Sequence, residues 1–374
     1  MPGLFILRQA EALAKSNMVS VLSVHPDPCS NKKFEVVNSV ENGVRACRVY
    51  YRKSRKGSGL IYGALDVFRY FKAHFLGLKA MGSYRPDIIH GHVLTREILF
   101  AFYLSRKWER PYLISEHWSR YFSENGTYRG WIRKRITRFL VMRSEGVIAV
   151  SSSLKKAMLG HNLSHEHFFI VPSLVDISAY TPPEIRNFQG KATILHVSCF
   201  EDKSKNISGF LDAVAIAFSS RTDFIVLLAG EGPDLESMKK YALSLGLGPD
   251  KVRFNGLRQN KDLINLYQTS SFLVQSSRYE TFGTVIVEAL SCGLPVISSK
   301  TGIAAEIIDR KSGILLQHPG TGEMAAAIIN MLDIYTTFDP QKLHDLISGS
   351  FSELAVTEKL AGIYSQTISE WQTA

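Results

Sequence analysis

The chain has 374 residues, 45% apolar and 21% charged, which is too long for one ordinary core and too apolar for wholesale disorder, so two domains are expected. Its net charge of +10 hides an asymmetry: residues 1–175 carry 27 Lys and Arg against 12 Asp and Glu, whereas residues 176–374 carry 17 against 22. No run approaches the roughly 18 consecutive apolar residues of a membrane-spanning helix, and residues 1–13 lack the blocks of a signal peptide, which disfavours a spanning and an exported protein alike.

Along the chain, the basic first half predicts an anionic partner: nucleic acid, a lipid headgroup surface or a phosphorylated acceptor, with a merely solvated face as the alternative. The segment Arg45–Lys56 mixes six basic residues with two Tyr, and Trp131–Arg138 repeats the theme. Interleaved aromatics and cations suit nucleic acid or anionic lipid. Nucleic acid is disfavoured because no nucleic-acid fold signature accompanies the charge. Short apolar runs at Asp87–His90, Pro111–Ser115 and Gly146–Val150 alternate with amphipathic stretches, the rhythm of βαβ units. A Pro-containing, weakly apolar stretch at 178–190 reads as a linker. Beyond it, Ala192–Val197, Phe224–Ala229, Lys251–Phe254, Ser271–Val274 and Pro295–Ser298 read as buried parallel strands, with helices over Ile207–Phe218 and Thr284–Ser291. Ser352–Trp371 predicts a closing helix. Cys29, Cys47, Cys199 and Cys292 lie far apart without a C-x-x-C pairing, which argues against a zinc site and a disulfide framework and suits a reducing cytoplasm.

The most informative stretch is Phe272–Ser299, FLVQSSRYETFGTVIVEALSCGLPVISS: a strand, a polar loop, a glycine, a helix, a turn and another strand. Glu280 falls in the loop at the strand's carboxyl end. Gly283 permits close approach of a ligand to backbone, and the helix opening at Thr284 presents unpaired N–H groups, an anion site. Glu288, within the same helix, can accept hydrogen bonds from vicinal hydroxyls such as those of a ribose. A diphosphate flanked by two polyols satisfies all three features. No Asp-x-Asp and no metal-ligand spacing occurs, so a metal-bridged diphosphate is not expected. The absence of G-x-G-x-x-G after a strand and of G-x-x-x-x-G-K-[ST] argues against a dinucleotide oxidoreductase and a P-loop NTPase.

This stretch resembles the signature of glycosyltransferase family 4, with Glu280, Phe282, Gly283, Glu288, Ala289, Cys292, Gly293, Pro295 and Val296 in register. The resemblance implies a GT-B fold, α/β with two doubly wound Rossmann-like domains facing a central cleft. It also implies that Glu280 contacts the donor sugar and Glu288 the ribose, with Thr281, Phe282, Gly283 and Thr284 beside them on the donor. The likeness covers most of the chain. The segment HVSCFEDKSKN, ending at Asn206, is similar to the family loop that supplies a Lys to the donor phosphates, and Lys205 is the match. Many relatives carry Arg where this chain has Cys199, which leaves the second phosphate cation open, with Lys203 as a candidate substitute. PYLISEHWSRY, at 111–121, is similar to the family segment whose His reaches the donor sugar, and His117 is the match. Further matches are Ser151–Leu154, Pro172–Asp176, Gly230-Glu231-Gly232 and Asn255-Gly256, with Gly256 to Arg258 bordering the base.

The resemblance implies a cytoplasmic, retaining hexosyltransferase, peripheral on the inner membrane face. It would use a nucleotide diphosphate sugar as substrate, no cofactor and no metal, and a glycan or lipid-linked acceptor in cell-surface polysaccharide or lipopolysaccharide synthesis. The domains expected are 1–177 on the acceptor side, 178–190 as linker, 191–351 on the nucleotide-sugar side and 352–374 as a helix packing back on the first. Relatives open with a strand and a glycine-rich loop ahead of the helix that holds GLFILRQAEALAK, whereas Met1 lies almost inside that helix. The first strand of the amino-terminal domain is therefore expected to be missing, which leaves a second reading: an inactive protein that binds a nucleotide sugar or a partner.

Overall fold

A computed structural model of the chain describes residues 4–27, 29, 31–53, 60–184, 186, 190–317 and 320–373. After a helix at Leu4–Leu13 come strands β1 (Ser20–Pro26), β2 (Phe34–Glu41) and β3 (Val44–Tyr51), in a sheet ordered β1-β3-β2. Asn42 and Gly43, at φ 48° and 82°, close β2 onto β3 as a two-residue hairpin turn that sets Glu41 opposite Val44. The central strand β3 buries Val44, Ala46, Cys47, Val49 and Tyr51. The apolar residues of the basic segment Arg45–Lys56 are therefore sheet interior, while its described basic residues lie at or near the surface. Arg48 is paired with Glu41 at 2.7 Å, Arg45, Arg52 and Lys53 remain exposed, and Ser54, Arg55 and Lys56 lie outside the described residues.

A second sheet has the order β4 (Ile89–His92), β5 (Tyr112–Glu116), β6 (Gly146–Ala149) and β7 (Phe168–Ile170). The third contains β8 (Ala192–Val197), β9 (Phe224–Ala229), β10 (Val252–Phe254), β11 (Phe272–Gln275), β12 (Val296–Ser299) and β13 (Gly313–Leu316). Its order is β10-β9-β8-β11-β12-β13, and every neighbouring pair is parallel. Counted from β8 this is the 3-2-1-4-5-6 order of a doubly wound sheet, in which ligands bind where the order reverses, outside the carboxyl ends of the strands. The reversal falls between β8 and β11. Ile194, Val226, Phe272 and Val274 share one core with the helices Ile207–Ser220 and Thr321–Ile334. Leu195 and Leu273, alternating with them and equally buried, serve the opposite face.

Contacts group Met1–Ser115, Leu140–Val147 and Thr357–Ala374 into one compact unit, and Glu116–Phe139 with Ile148–Val356 into another. Within the first unit the carboxyl-terminal helix Glu353–Thr373 meets β4: the Tyr364 hydroxyl and His90 Nδ1 are hydrogen-bonded at 2.6 Å. Trp371 donates to the Glu109 carbonyl at 3.3 Å. Of the segment read as linker, Ile185, Asn187, Phe188 and Gln189 lie outside the described residues. Among the described residues no helix is long and apolar enough to cross a membrane.

Candidate active site

Two loops leave the sheet at its reversal, Ser198–Asn206 after β8 and Ser276–Gly283 after β11, and both are held by specific bonds. The first lies against the loop after β9 so closely that a Cβ on Gly230 would come within 1.8 Å of the Ser198 carbonyl oxygen, and one on Gly232 within 2.5 Å of the Phe200 nitrogen. That contact explains the glycine pair. Asp202 opens a single helical turn, accepting from the Ser208 backbone and hydroxyl at 2.8 Å each. Lys205 ends this turn. The two loops are then stitched together: Ser276 donates to the Lys205 carbonyl and the Arg278 N–H to the Ser204 carbonyl, both at 2.8 Å.

This brings Lys205 and Glu280, 75 residues apart in sequence, into a direct ion pair. Glu280 Oε1 accepts from Lys205 Nζ, from the Ser277 hydroxyl at 3.1 Å and from Gln275 Nε2 at 3.4 Å. Gln275 is itself fixed by the Ser298 hydroxyl at 2.8 Å. All three bonds fall on one carboxylate oxygen, and among the described residues none falls on Oε2, which leaves that oxygen to accept from a ligand donor. Burial works against the Lys205 ammonium, but Glu280, helped by Cys199 and Glu201, more than offsets this and holds the lysine above its usual pKa. A fixed positive charge results.

The chain next turns into the helix Thr284–Ser291 through Gly283 at φ 92°, and no side chain caps the helix start. Thr281 and Thr284 are half-buried and Phe282 is buried. The loop is anchored on both sides: the Ser151 hydroxyl donates to the Thr281 carbonyl at 2.6 Å, and Ile303 N–H to the Phe282 carbonyl at 2.7 Å. Gly302, at φ 56°, lies where a Cβ would meet the Phe282 carbonyl oxygen at 2.3 Å. Four residues into the helix, Glu288 is 8% exposed and accepts from the Tyr267 hydroxyl at 2.9 Å. Burial, reinforced by the Glu288 charge, keeps the Tyr267 phenol far above its usual pKa, so it remains a donor. Sequence reading did not find Tyr267, because an aromatic at a buried position of helix Asn260–Thr269 has the pattern of an ordinary core residue.

His117 stands directly after β5 in a loop organised by Glu116, which is fully buried. Glu116 Oε1 accepts from the backbone N–H groups of His117 and Trp118 at 2.8 Å each, and Oε2 from the Tyr121 hydroxyl at 2.7 Å. The same loop reaches the β11 loop through Phe122, whose ring stacks on Tyr279 at 6.0 Å. Lys203, expected as a substitute phosphate cation, donates to the Asn125 carbonyl of this loop at 3.0 Å. Gly256, at φ 65°, accepts from the Gly230 N–H at 2.8 Å, and Arg258 is exposed beyond it. Cys199 is an exposed free thiol in the β8 loop. Among the described residues no group of three or more His, Cys, Asp or Glu is placed to hold a metal ion.

Beneath the two loops, His196 bonds the Val274 carbonyl at 2.9 Å and the Ser198 hydroxyl at 3.0 Å, tying β8 to β11. Burial, aided slightly by Lys205 and opposed by the bond to Val274, pushes its imidazole pKa down to about 4 from 6.5. Below pH 6.5 the unfolded chain takes up a proton that the native site refuses. Stability is therefore at its full value above that pH and falls as pH drops toward about 4, by roughly 3 kcal/mol at most. Urea midpoints measured through this window should decline more steeply for the wild type than for His196→Gln; parallel curves would remove this role.

Residues 181–348 match the family model of glycosyl transferases group 1, and residues 2–173 match that of the glycosyl transferase 4-like domain. An alpha-monoglucosyldiacylglycerol synthase of Streptococcus pneumoniae is 23% identical over 74% of this chain and 66% of its own length. A phosphatidylinositol N-acetylglucosaminyltransferase component of Arabidopsis thaliana is 22% identical over 82% of this chain and likewise 66% of its own. The chain thus spans just under two thirds of these curated relatives. Among solved structures, sucrose-phosphate synthase from Thermosynechococcus elongatus superposes with a TM-score of 0.78 at 19% identity, covering 99% of this chain and 94% of that one. HepE of Anabaena, in complex with UDP and glucose, gives 0.66 at 17% identity over 92% and 99%.

Proposed function

The chain belongs to the glycosyl transferases group 1 family and has the GT-B fold, and we propose that it is a retaining, metal-independent hexosyltransferase acting from a nucleotide diphosphate sugar. The observation that carries this reading is the Lys205–Glu280 pair at the reversal of a 3-2-1-4-5-6 sheet, directly before an uncapped helix. In this reading Lys205 and the amides at the start of Thr284–Ser291 take the diphosphate, Glu288 the ribose hydroxyls and Glu280 Oε2 a sugar hydroxyl. His117 approaches the sugar from its own loop, Thr281 to Thr284 line the donor, and Gly256 with Arg258 borders the base. Lys203 supports the site through the Asn125 loop. Residues 1–177 serve as the acceptor-side domain and 191–351 as the donor side, joined by 178–190 and followed by 352–374.

A same-face substitution, in which the departing diphosphate rather than a protein carboxylate assists the acceptor, is the route that the Lys205 charge and the helix start favour. The bond from the anomeric carbon to the phosphate oxygen breaks as that carbon acquires oxocarbenium character. The acceptor oxygen then bonds to the carbon on the face being vacated, and its proton passes to the departing phosphate. Lys205 is needed where negative charge grows. The acceptor is a glycan or a lipid-linked sugar, and an anionic membrane surface is a further partner. Support comes from relatives named for glycolipid synthesis and from a lipopolysaccharide outer core galactosyltransferase, WaaB, with a TM-score of 0.63. Proton NMR of the first-formed product, with a chelator present, should give the anomeric configuration of the donor at an undiminished rate. Inversion would sink the same-face route, and loss of activity with the chelator would sink metal independence.

A further inference from the structure

Helix Trp131–Arg143 turns apolar side chains toward solvent. Trp131 and Met142 are each 74% exposed, and Ile132, Ile136 and Phe139 are 57%, 39% and 45% exposed. At 3.6 residues per turn these five positions fall on one side, and Arg135 and Arg143 lie within the same arc. Thr137, Leu140 and Val141, on the other side, are buried. The helix is packed correctly and still leaves this face uncovered. Its orientation is fixed by Arg138, which donates to the His161 carbonyl at 3.2 Å, and by Arg133, which donates to the Thr127 carbonyl at 3.2 Å.

The helix contains five cationic residues and no acidic one. Trp, Phe, Met and Arg are also common in protein interfaces, so the choice of occupant rests on charge: a helix with five cations and no carboxylate, in a half of the chain with 27 basic against 12 acidic residues, complements a uniformly anionic lipid surface. There the apolar groups enter the acyl boundary and the guanidinium groups reach up to phosphate. We propose that this face docks the protein on an anionic bilayer, with Trp131, Ile132, Ile136, Phe139 and Met142 inserted and Arg135 and Arg143 on lipid phosphates. The inference names the surface for the membrane partner of the preceding section and holds whatever sugar is transferred.

Sedimentation with phosphatidylcholine vesicles, with and without about 30% phosphatidylglycerol, tests it without reading any activity. The wild type should bind the anionic vesicles several-fold more tightly and release at high salt. Arg135→Gln should weaken binding about fivefold, and Phe139→Asp with Met142→Asp by about a hundredfold or more. Melting curves should show both variants folded. Independently, brominated lipid should quench wild-type fluorescence by an increment that Trp131→Phe removes. Vesicle binding that is absent or indifferent to these substitutions would overturn the proposal. So would finding that they abolish a concentration-dependent self-association, which would assign the face to a second copy.

Discussion

Lys205→Ala is expected to lower kcat by about 10²–10³-fold at saturating donor, the usual loss when one preorganised group facing developing negative charge is removed. The charge on Lys205 is set in place before donor arrives: its carbonyl is bonded to Ser276, its ammonium to Glu280, and its side chain is only 18% exposed. In the proposed reading the phosphate gains charge as the sugar departs, so the lysine would stabilise the transition state more than the bound donor, and the loss should appear mainly in kcat. Glu280 keeps its bonds to Ser277 and Gln275 in the variant, so its carboxylate is not left bare. A raised KM with unchanged kcat would instead make Lys205 a ground-state binding group.

Glu288→Ala is expected to weaken nucleoside diphosphate binding by about ten- to a hundredfold, the range for hydrogen bonds made by a charged group. The carboxylate is nearly buried and fixed by Tyr267, so in the proposed reading it would meet the ribose without further ordering. The decisive comparison is a double cycle with 2′,3′-dideoxy nucleotides. Removing the ribose hydroxyls should weaken binding to the wild type and make little further difference to Glu288→Ala. Equal losses in both proteins would place Glu288 away from the ribose. Tyr267→Phe should reproduce part of the effect, since the carboxylate keeps its charge and loses one bond.

The strands of the six-stranded sheet were legible because buried parallel strands are near-continuous apolar runs: Ala192–Val197 and Phe224–Ala229 form β8 and β9 with the expected bounds. The helix Thr284–Ser291 was equally clear from Gly283 and its periodicity. The hairpin of β2 and β3 has a local signal in Asn42-Gly43, but the charged residues interleaved through Arg45–Lys56 break up the apolar alternation that would mark its second strand. Other features had no local signal. The bond of Lys203 to Asn125 depends on a loop 78 residues earlier. The loading of Glu280 onto a single oxygen depends on Lys205, Gln275 and Ser277 arriving together. Spacing along the chain carries such information only through the fold. The exposed face of Trp131–Arg143 lies between these cases: its basic and aromatic content was visible at once, but which side of the helix faces solvent was not.

The site is most directly tested by titration calorimetry of UDP, GDP and ADP against the wild type, Lys205→Ala and Glu288→Ala. One nucleoside diphosphate should bind the wild type, more weakly to both variants, with the ribose dependence lost only in Glu288→Ala. Binding of none of the three, or binding untouched by either substitution, would contradict a nucleotide-sugar site at the β8–β11 reversal.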